Sequence, residues 1–169
     1  PGQAPEETTR GKGVLVSGTL NDIHSLGLYV LEQALTRLGY RVVRLGTMIT
    51  QEEFIAAARE TAADALLVSD SNGHAEIDFE GFGDKCREAG LEDLHIYAGG
   101  MLTVVADDWP RVAEVLRHNG VRHVFEPGSE LNDILAAIDA DLGAKRRVQG
   151  EGDPSPSRTG EGQGIGQEV

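Results

Sequence analysis

Along the chain, short apolar runs alternate with stretches whose apolar residues recur at helical spacing. Gly13–Ser17 (GVLVS) and Ala65–Ser69 (ALLVS) are almost continuously apolar, the pattern of strands covered on both faces. Between them, Leu26–Leu38 places Leu28, Leu31, Leu35 and Leu38 on one side of a helix that Gly39 closes. Arg41–Leu45 (RVVRL) reads as a second strand. Thr50 and Glu53 then have the spacing of a capping box, in which each side chain satisfies a free backbone N–H, and the helix they open reaches about Ala62. A helix near Glu80–Ala89, a strand at His95–Ala98, and a helix after Asp107 and Asp108 with Pro110 in its first turn follow. A short strand at His123–Phe125 and a helix at Leu131–Leu142 end the pattern.

Five strands separated by helices predict a parallel sheet with right-handed crossovers. The expected class is α/β: a flavodoxin-like (Rossmann-like), doubly wound five-stranded sheet of order 2-1-3-4-5. In such sheets ligands sit at the carboxyl ends of the strands, which directs attention to the loops after strands one, three, four and five. The folded unit is expected over residues 11–142. Residues 1–10 and 143–169, rich in Gly, Pro, Ser and charge, are expected to be disordered because they bury too little apolar surface to offset ordering entropy.

Composition narrows the function. A net charge of −13 argues against a nucleic-acid backbone as partner, because phosphates are neutralised by Lys and Arg. No run of eighteen apolar residues is present to span a membrane. The opening PGQAPEETTR lacks the apolar stretch of a secretory signal. The single cysteine, Cys86, fits a reducing compartment, so a cytoplasmic location is expected, and its mid-helix position points to packing.

Chemistry concentrates in the loops. After strand one, GTLNDIHSLG carries Asp22, His24 and Gly27. It matches no phosphate-binding glycine motif. A carboxylate two residues before a histidine can hold one imidazole nitrogen while the other binds a metal; alternatively Asp22 caps the helix and His24 is a polar loop residue. After strand three come Ser69, Asp70, Ser71 and Asn72, then His74, read as solvated, and Glu76 and Asp78, read as helix-capping or dipole-favouring. After strand four, Gly99 and Gly100 permit close backbone approach to a bulky ligand or simply a turn. Glu126–Ser129 after strand five reads as a turn. Asp70 stands where a receiver domain keeps its phosphoacceptor. Ser17 and Gly18 nevertheless replace the acidic residues that would hold magnesium, and Ala98 and Glu126 replace the required Ser/Thr and Lys.

The D-x-H-x-x-G of Asp22, His24 and Gly27, the serine after strand three and the Gly-Gly after strand four resemble the cobalamin-binding module of B12-dependent mutases and methyltransferases. EIDFEGFGDKCREAGLEDLHIYAGG (Glu76–Gly100) and DWPRVAEVLRHNGVRHVFEPG (Asp108–Gly128) resemble the small subunit of glutamate mutase (methylaspartate mutase), and the likeness spans about residues 13–142. The resemblance implies that His24 replaces the cofactor's dimethylbenzimidazole as axial cobalt ligand, with Asp22 bonded to the far ring nitrogen. It implies a nucleotide tail running between strands one and three, bound by Ser69 and lined by Gly99, Gly100 and Met101–Val105, with Gly27 letting the helix after strand one pass close to it. The implied cofactor-binding set is Asn21, Asp22, Ile23, His24, Ser25, Gly27, Ser69, Asp70, Ser71, Gly99, Gly100, Met101, Leu102, Thr103, Val104 and Val105. One departure stands out: the family pattern S-x-L-aromatic is here Ser69-Asp70-Ser71-Asn72.

The function so implied is the adenosylcobalamin-carrying subunit of a radical carbon-skeleton mutase, an isomerase interconverting L-glutamate and L-threo-3-methylaspartate and inactive alone. No arginine cluster in these loops would clamp a dicarboxylate. A large catalytic subunit is therefore expected, two of each subunit in the assembly, with the small dicarboxylic amino acid bound where they meet. The alternative is a corrinoid carrier or sensor serving a methyltransferase or regulatory partner; only a short polar stretch precedes strand one here, where methyltransferase modules usually carry a helical domain. A degenerate module that binds a partner without cofactor is a third reading.

Overall fold

The computed structural model describes residues 11–151. Its elements run β1 (Val14–Leu20), α1 (Leu26–Arg37), β2 (Arg41–Ile49), α2 (Gln51–Thr61), β3 (Ala65–Ser69), α3 (Ala75–Asp78), α4 (Phe82–Glu88), β4 (His95–Gly99), α5 (Trp109–His118), β5 (His123–Val124) and α6 (Leu131–Glu151). The five strands form one sheet in the order β2-β1-β3-β4-β5, with every pairing parallel. The expected class and strand order therefore hold.

Successive strand residues point to opposite faces, and both faces are covered. Val16, Leu66, Val68, Ile96 and Ala98 pack with Phe54, Phe79, Phe82 and Leu116 on the face covered by α2 to α5. Leu15, Ala65, Leu67 and Tyr97 pack with Leu35, Ile138 and Leu142 on the face of α1 and α6. This double burial explains why the sequence of β1 and β3 shows no polar alternation. Buried Cys86 belongs to the first cluster, and burial pushes its thiol up to about 11. The local signals also hold: Gly39 sits at φ +100°, and Thr50 and Glu53 form the capping box at α2.

Several boundaries differ from the sequence pattern. β1 and β2 continue to Leu20 and Ile49, with register shifts around Gly18. The single helix expected at Glu80–Ala89 becomes two, α3 and α4, broken at Gly81 (φ +70°), whose N–H donates to the Asn119 side chain at 2.9 Å. α6 runs past Leu142 to Glu151, so residues 143–151, expected to be disordered, are helical. Tertiary anchors account for this: Lys145 donates to the carbonyls of Asp64 (2.9 Å) and Asp93, and Arg146 to that of Lys12. The expectations for residues 1–10 and 152–169 lie outside the described residues. Among the described residues, no helix is long and apolar enough to cross a membrane.

Candidate functional site

The loop after β1 is held from several sides. Asn21 opens it in a left-handed conformation (φ +49°), which Asn tolerates better than most residues. The Asp22 carbonyl accepts from the Thr19 hydroxyl and, at 2.9 Å, from the N–H of Met48 at the end of β2. The Asp22 carboxylate is saturated. Oδ1 accepts from the Ile23 N–H (2.7 Å), the His24 N–H (3.2 Å) and His24 Nδ1 (2.7 Å). Oδ2 accepts from the Ser71 N–H across the loop after β3 (2.8 Å). Burial raises the Asp22 pKa, but these bonds from His24, Ser71 and Ile23 outweigh it and leave the carboxyl below its ordinary range.

An ionised Asp22 requires Nδ1 of His24 to be the donor, so the lone pair resides on Nε2. The two side chains have opposite exposure, 2% for Asp22 and 69% for His24. A buried carboxylate thus steers an imidazole that faces outward.

Beside His24 lies a cleft of about 680 Å³ between α1 and α6, at the carboxyl ends of β3, β4 and β5. Leu67 and Tyr97 form part of its floor, and Leu31, Phe125 and Ile134 are apolar parts of its wall. Ser69 and Ser71 are polar points within it. Gly27 and Gly99 keep it open: a Cβ on Gly27 would meet nothing within 4 Å, and one on Gly99 only Phe125 at 3.8 Å. Gly100 (φ +109°) has a different reason, since a Cβ there would lie 2.4 Å from the Asp70 carbonyl.

Of the residues singled out from sequence, His24, Ser25, Gly27, Ser69, Ser71, Gly99, Gly100 and Met101 line this cleft. The others do not. Asp22 stands behind His24. Asn21 turns to Asp78 at 2.9 Å. Leu102 is buried in the core between sheet and helices, because the loop after β4 dips inward there. Thr103 bridges to His74, and Val104 packs over Gly73. Ile23, Val104 and Val105 are exposed apolar side chains outside the cleft.

Asp70 is also outside it: the side chain is fully buried and its Oδ2 has no partner. Burial, opposed by the Asn72 N–H and reinforced by Asp78 and Asp22, pushes its carboxyl up to about 7. Burial also removes Asp70 as a phosphoacceptor. Glu76 and Asp78 make no capping bond but lie in the first turn of α3, where their charge favours the helix dipole; Glu76 also pairs with Arg111 (2.7 Å), and Asp78 accepts from Asn21 and Asn72.

Sequence reasoning missed the far wall, Phe125–Ser129 with Leu131 and Ile134. Its one signal was Gly128, in a turn that follows a strand at the ligand-binding edge of the sheet.

The model of the B12 binding domain matches residues 13–136. The glutamate mutase sigma subunit of Carboxydothermus hydrogenoformans is 44% identical over 130 residues, covering 76% of this chain and 95% of that protein. The glutamate mutase sigma subunit of Clostridium cochlearium is 39% identical over 132 residues, covering 78% and 96%. This chain belongs to the glutamate mutase sigma subunit family. Solved structures outside that family share its architecture. The methanol:cobalamin methyltransferase complex MtaBC from Methanosarcina barkeri superposes with a TM-score of 0.61 at 24% identity, over 82% of this chain and 50% of that one. The receiver domain of the response regulator NarL from Mycobacterium tuberculosis superposes with a TM-score of 0.58 at 18% identity, over 79% of this chain and 98% of that one. At such identities the likeness is one of fold. The residues that match the B12 binding domain, 13–136, include both the loop that carries Asp22 and His24 and the loop whose Ser71 N–H closes on Asp22.

Proposed function

We propose that this chain is the cobalamin-carrying subunit of an adenosylcobalamin-dependent mutase, interconverting L-glutamate and L-threo-3-methylaspartate together with a larger catalytic subunit. The observation that carries this reading is the Asp22-steered imidazole of His24, its Nε2 outward, at an apolar cleft kept open by Gly27 and Gly99.

These residues fit the cofactor. His24 would ligate cobalt through Nε2, and Asp22 would fix the tautomer and strengthen the ligand. Ser69 and Ser71 offer hydroxyls to a nucleotide tail, and Gly27, Gly99, Gly100 and Met101 leave room for it. When bound, adenosylcobalamin supplies the radical chemistry that a carbon-skeleton rearrangement needs. The protein's part is to bind, orient and exclude water. Among the described residues lining the cleft there is no Lys or Arg, so the charges that hold a dicarboxylate come from the partner. The exposed apolar side chains Ile23, Leu26, Met101, Val104 and Val105 border the site and suit the corrin face and the large subunit that covers it. Two copies of each subunit are proposed for the assembly.

The test is spectroscopic. Adenosylcobalamin mixed with the parent chain should show imidazole in place of its own base, and His24→Ala should lose that signature. Equal binding by both, with the cofactor's own base still on cobalt, defeats the assignment. Turnover should then require the large subunit.

A further inference from the structure

The segment Ser71-Asn72 forms a polar bridge between loops. Asn72 Nδ2 donates to Asp78 Oδ2 at 2.8 Å and to the Asn21 carbonyl at 3.4 Å. Asn21 Nδ2 donates to the other oxygen of Asp78 at 2.9 Å. Asn72 Oδ1 accepts from the His74 N–H at 2.7 Å, which keeps its amide oriented. The triangle is anchored from α2, since Gln51 Nε2 donates to the carbonyls of Asp78 (2.6 Å) and Glu80 (3.0 Å). One residue away on each strand of this bridge, the Ser71 N–H reaches the Asp22 carboxylate. A continuous chain therefore runs from Gln51 through Asp78 and Asn72 to Ser71, Asp22 and the ring of His24.

We propose that Asn72 and Asp78 are positioning residues: their clasp with Asn21 holds Asp22, and through it the His24 ring, in the ligating orientation before any cofactor arrives. The consequence for cobalamin rests on the function proposed above; the effect on the ring itself does not. His24 is mostly exposed and carries no other ring partner among the described residues, so its orientation depends on how firmly Asp22 is held. Asp22 in turn has one bond from outside its own loop to its carboxylate, from Ser71. Loosening the loop after β3 lowers the population of the competent arrangement, and the apparent affinity falls in proportion.

The test exchanges donor and acceptor. Asn72→Asp sets two carboxylates against each other at position 78 and breaks the clasp. The double variant Asn72→Asp with Asp78→Asn restores the bond with its direction reversed, while residue 78 keeps an oxygen for Asn21. In the cofactor-free full chain at pH 8, ¹⁵N spectra of the His24 ring should show one tautomer, protonated at Nδ1, for the parent and the double variant. Asn72→Asp should show both tautomers, and uncharged Asn72→Ala a smaller change in the same direction. Stopped-flow association of adenosylcobalamin should slow about tenfold for Asn72→Asp and recover in the double variant, with the same final spectrum in all. Circular dichroism checks that each variant is folded; should Asn72→Asp not fold, Asn72→Ala and the double variant decide. Parental ring spectra in both single variants, or a folded double variant that still mixes tautomers, overturns the proposal. A parent that never replaces the cofactor's base defeats the preceding reading instead, while the ring spectra still decide the clasp.

Discussion

The two ends of this sheet are built on opposite terms. At the amino end, polar side chains saturate one another. Asp141 on α6 accepts from Arg122 Nε (2.7 and 2.8 Å), the Tyr97 hydroxyl (2.6 Å) and His95 Nδ1 (2.9 Å). Nearby, Asp139 accepts from Tyr40 (2.6 Å) and Lys12 (3.1 Å), and Asp64 caps β1 through the Val14 N–H (2.8 Å). The Arg122 bond first, then those of Tyr97 and His95, hold Asp141 far below the ordinary carboxylate range despite partial burial. At the carboxyl end, capacity is left unspent: the outer nitrogen of His24, the buried Oδ2 of Asp70, the open cleft and its exposed apolar border. Tyr97 joins the ends, its ring on the cleft floor and its hydroxyl on Asp141. One end holds α6 to the sheet so that the other can remain open. Stability and binding are therefore separable here.

That separation can be broken by substitution. Gly27→Leu puts a side chain into the open cleft near the start of α1. It should weaken cobalamin binding by about a hundredfold, the equivalent of about 3 kcal/mol of overpacking. The same change should leave the fold intact or stabilise it by about 0.5 kcal/mol, since Gly is a poor helix former. Isothermal titration and thermal melts read the two effects, and a parallel loss of both would deny the separation.

Asp141→Ala should do the reverse. Loss of about 2 kcal/mol of stability is expected, chiefly from leaving the buried Tyr97 hydroxyl and the partly buried His95 ring unpaired, with the exposed Arg122 contributing less and cobalamin affinity little changed in the folded protein. Because the folded-state pKa of Asp141 is depressed, its contribution is present above the unfolded value near 3.8 and is lost as pH falls through the lower folded value. Urea melts should therefore show the variant's deficit at pH 7 shrinking in strong acid.

Asp70 gives the opposite dependence. Its folded pKa, about 7, is raised above the unfolded 3.8, so the fold binds the extra proton and this group's contribution declines as pH rises between those values. Asp70→Asn should stabilise the protein by about 2 kcal/mol at pH 8 and by much less at pH 5. An equal effect at both pH values would show that the carboxyl does not titrate in that window.

The sequence was legible wherever a signal is local. Apolar runs marked β1, β3 and β4; the Thr50–Glu53 box and Gly39 marked helix ends; and the spacing of Asp22 and His24 put carboxylate and imidazole within one turn of each other. The identity of the chemistry needed more than spacing, and came from motifs in several loops standing in register. Depth within a loop was not legible. Leu102 and Asp70 were expected in the cofactor-binding loops, yet neighbouring elements cover both. Residues 143–151 read as tail, yet Lys145 and Arg146 find carbonyls on distant loops.

The chain by itself therefore settled the alternation of strands and helices and the covered sheet, and offered the Asp22–His24 pair as one of two readings, because periodicity, capping and close spacing depend on neighbours in sequence. Only the tertiary structure decided which loops meet: that Ser71 closes on Asp22, that Phe125–Ser129 walls the cleft opposite α1, and that Asp70 is shut away from water. Burial and long-range hydrogen bonding depend on what packs across from a residue, and that partner lies tens of positions away along the chain.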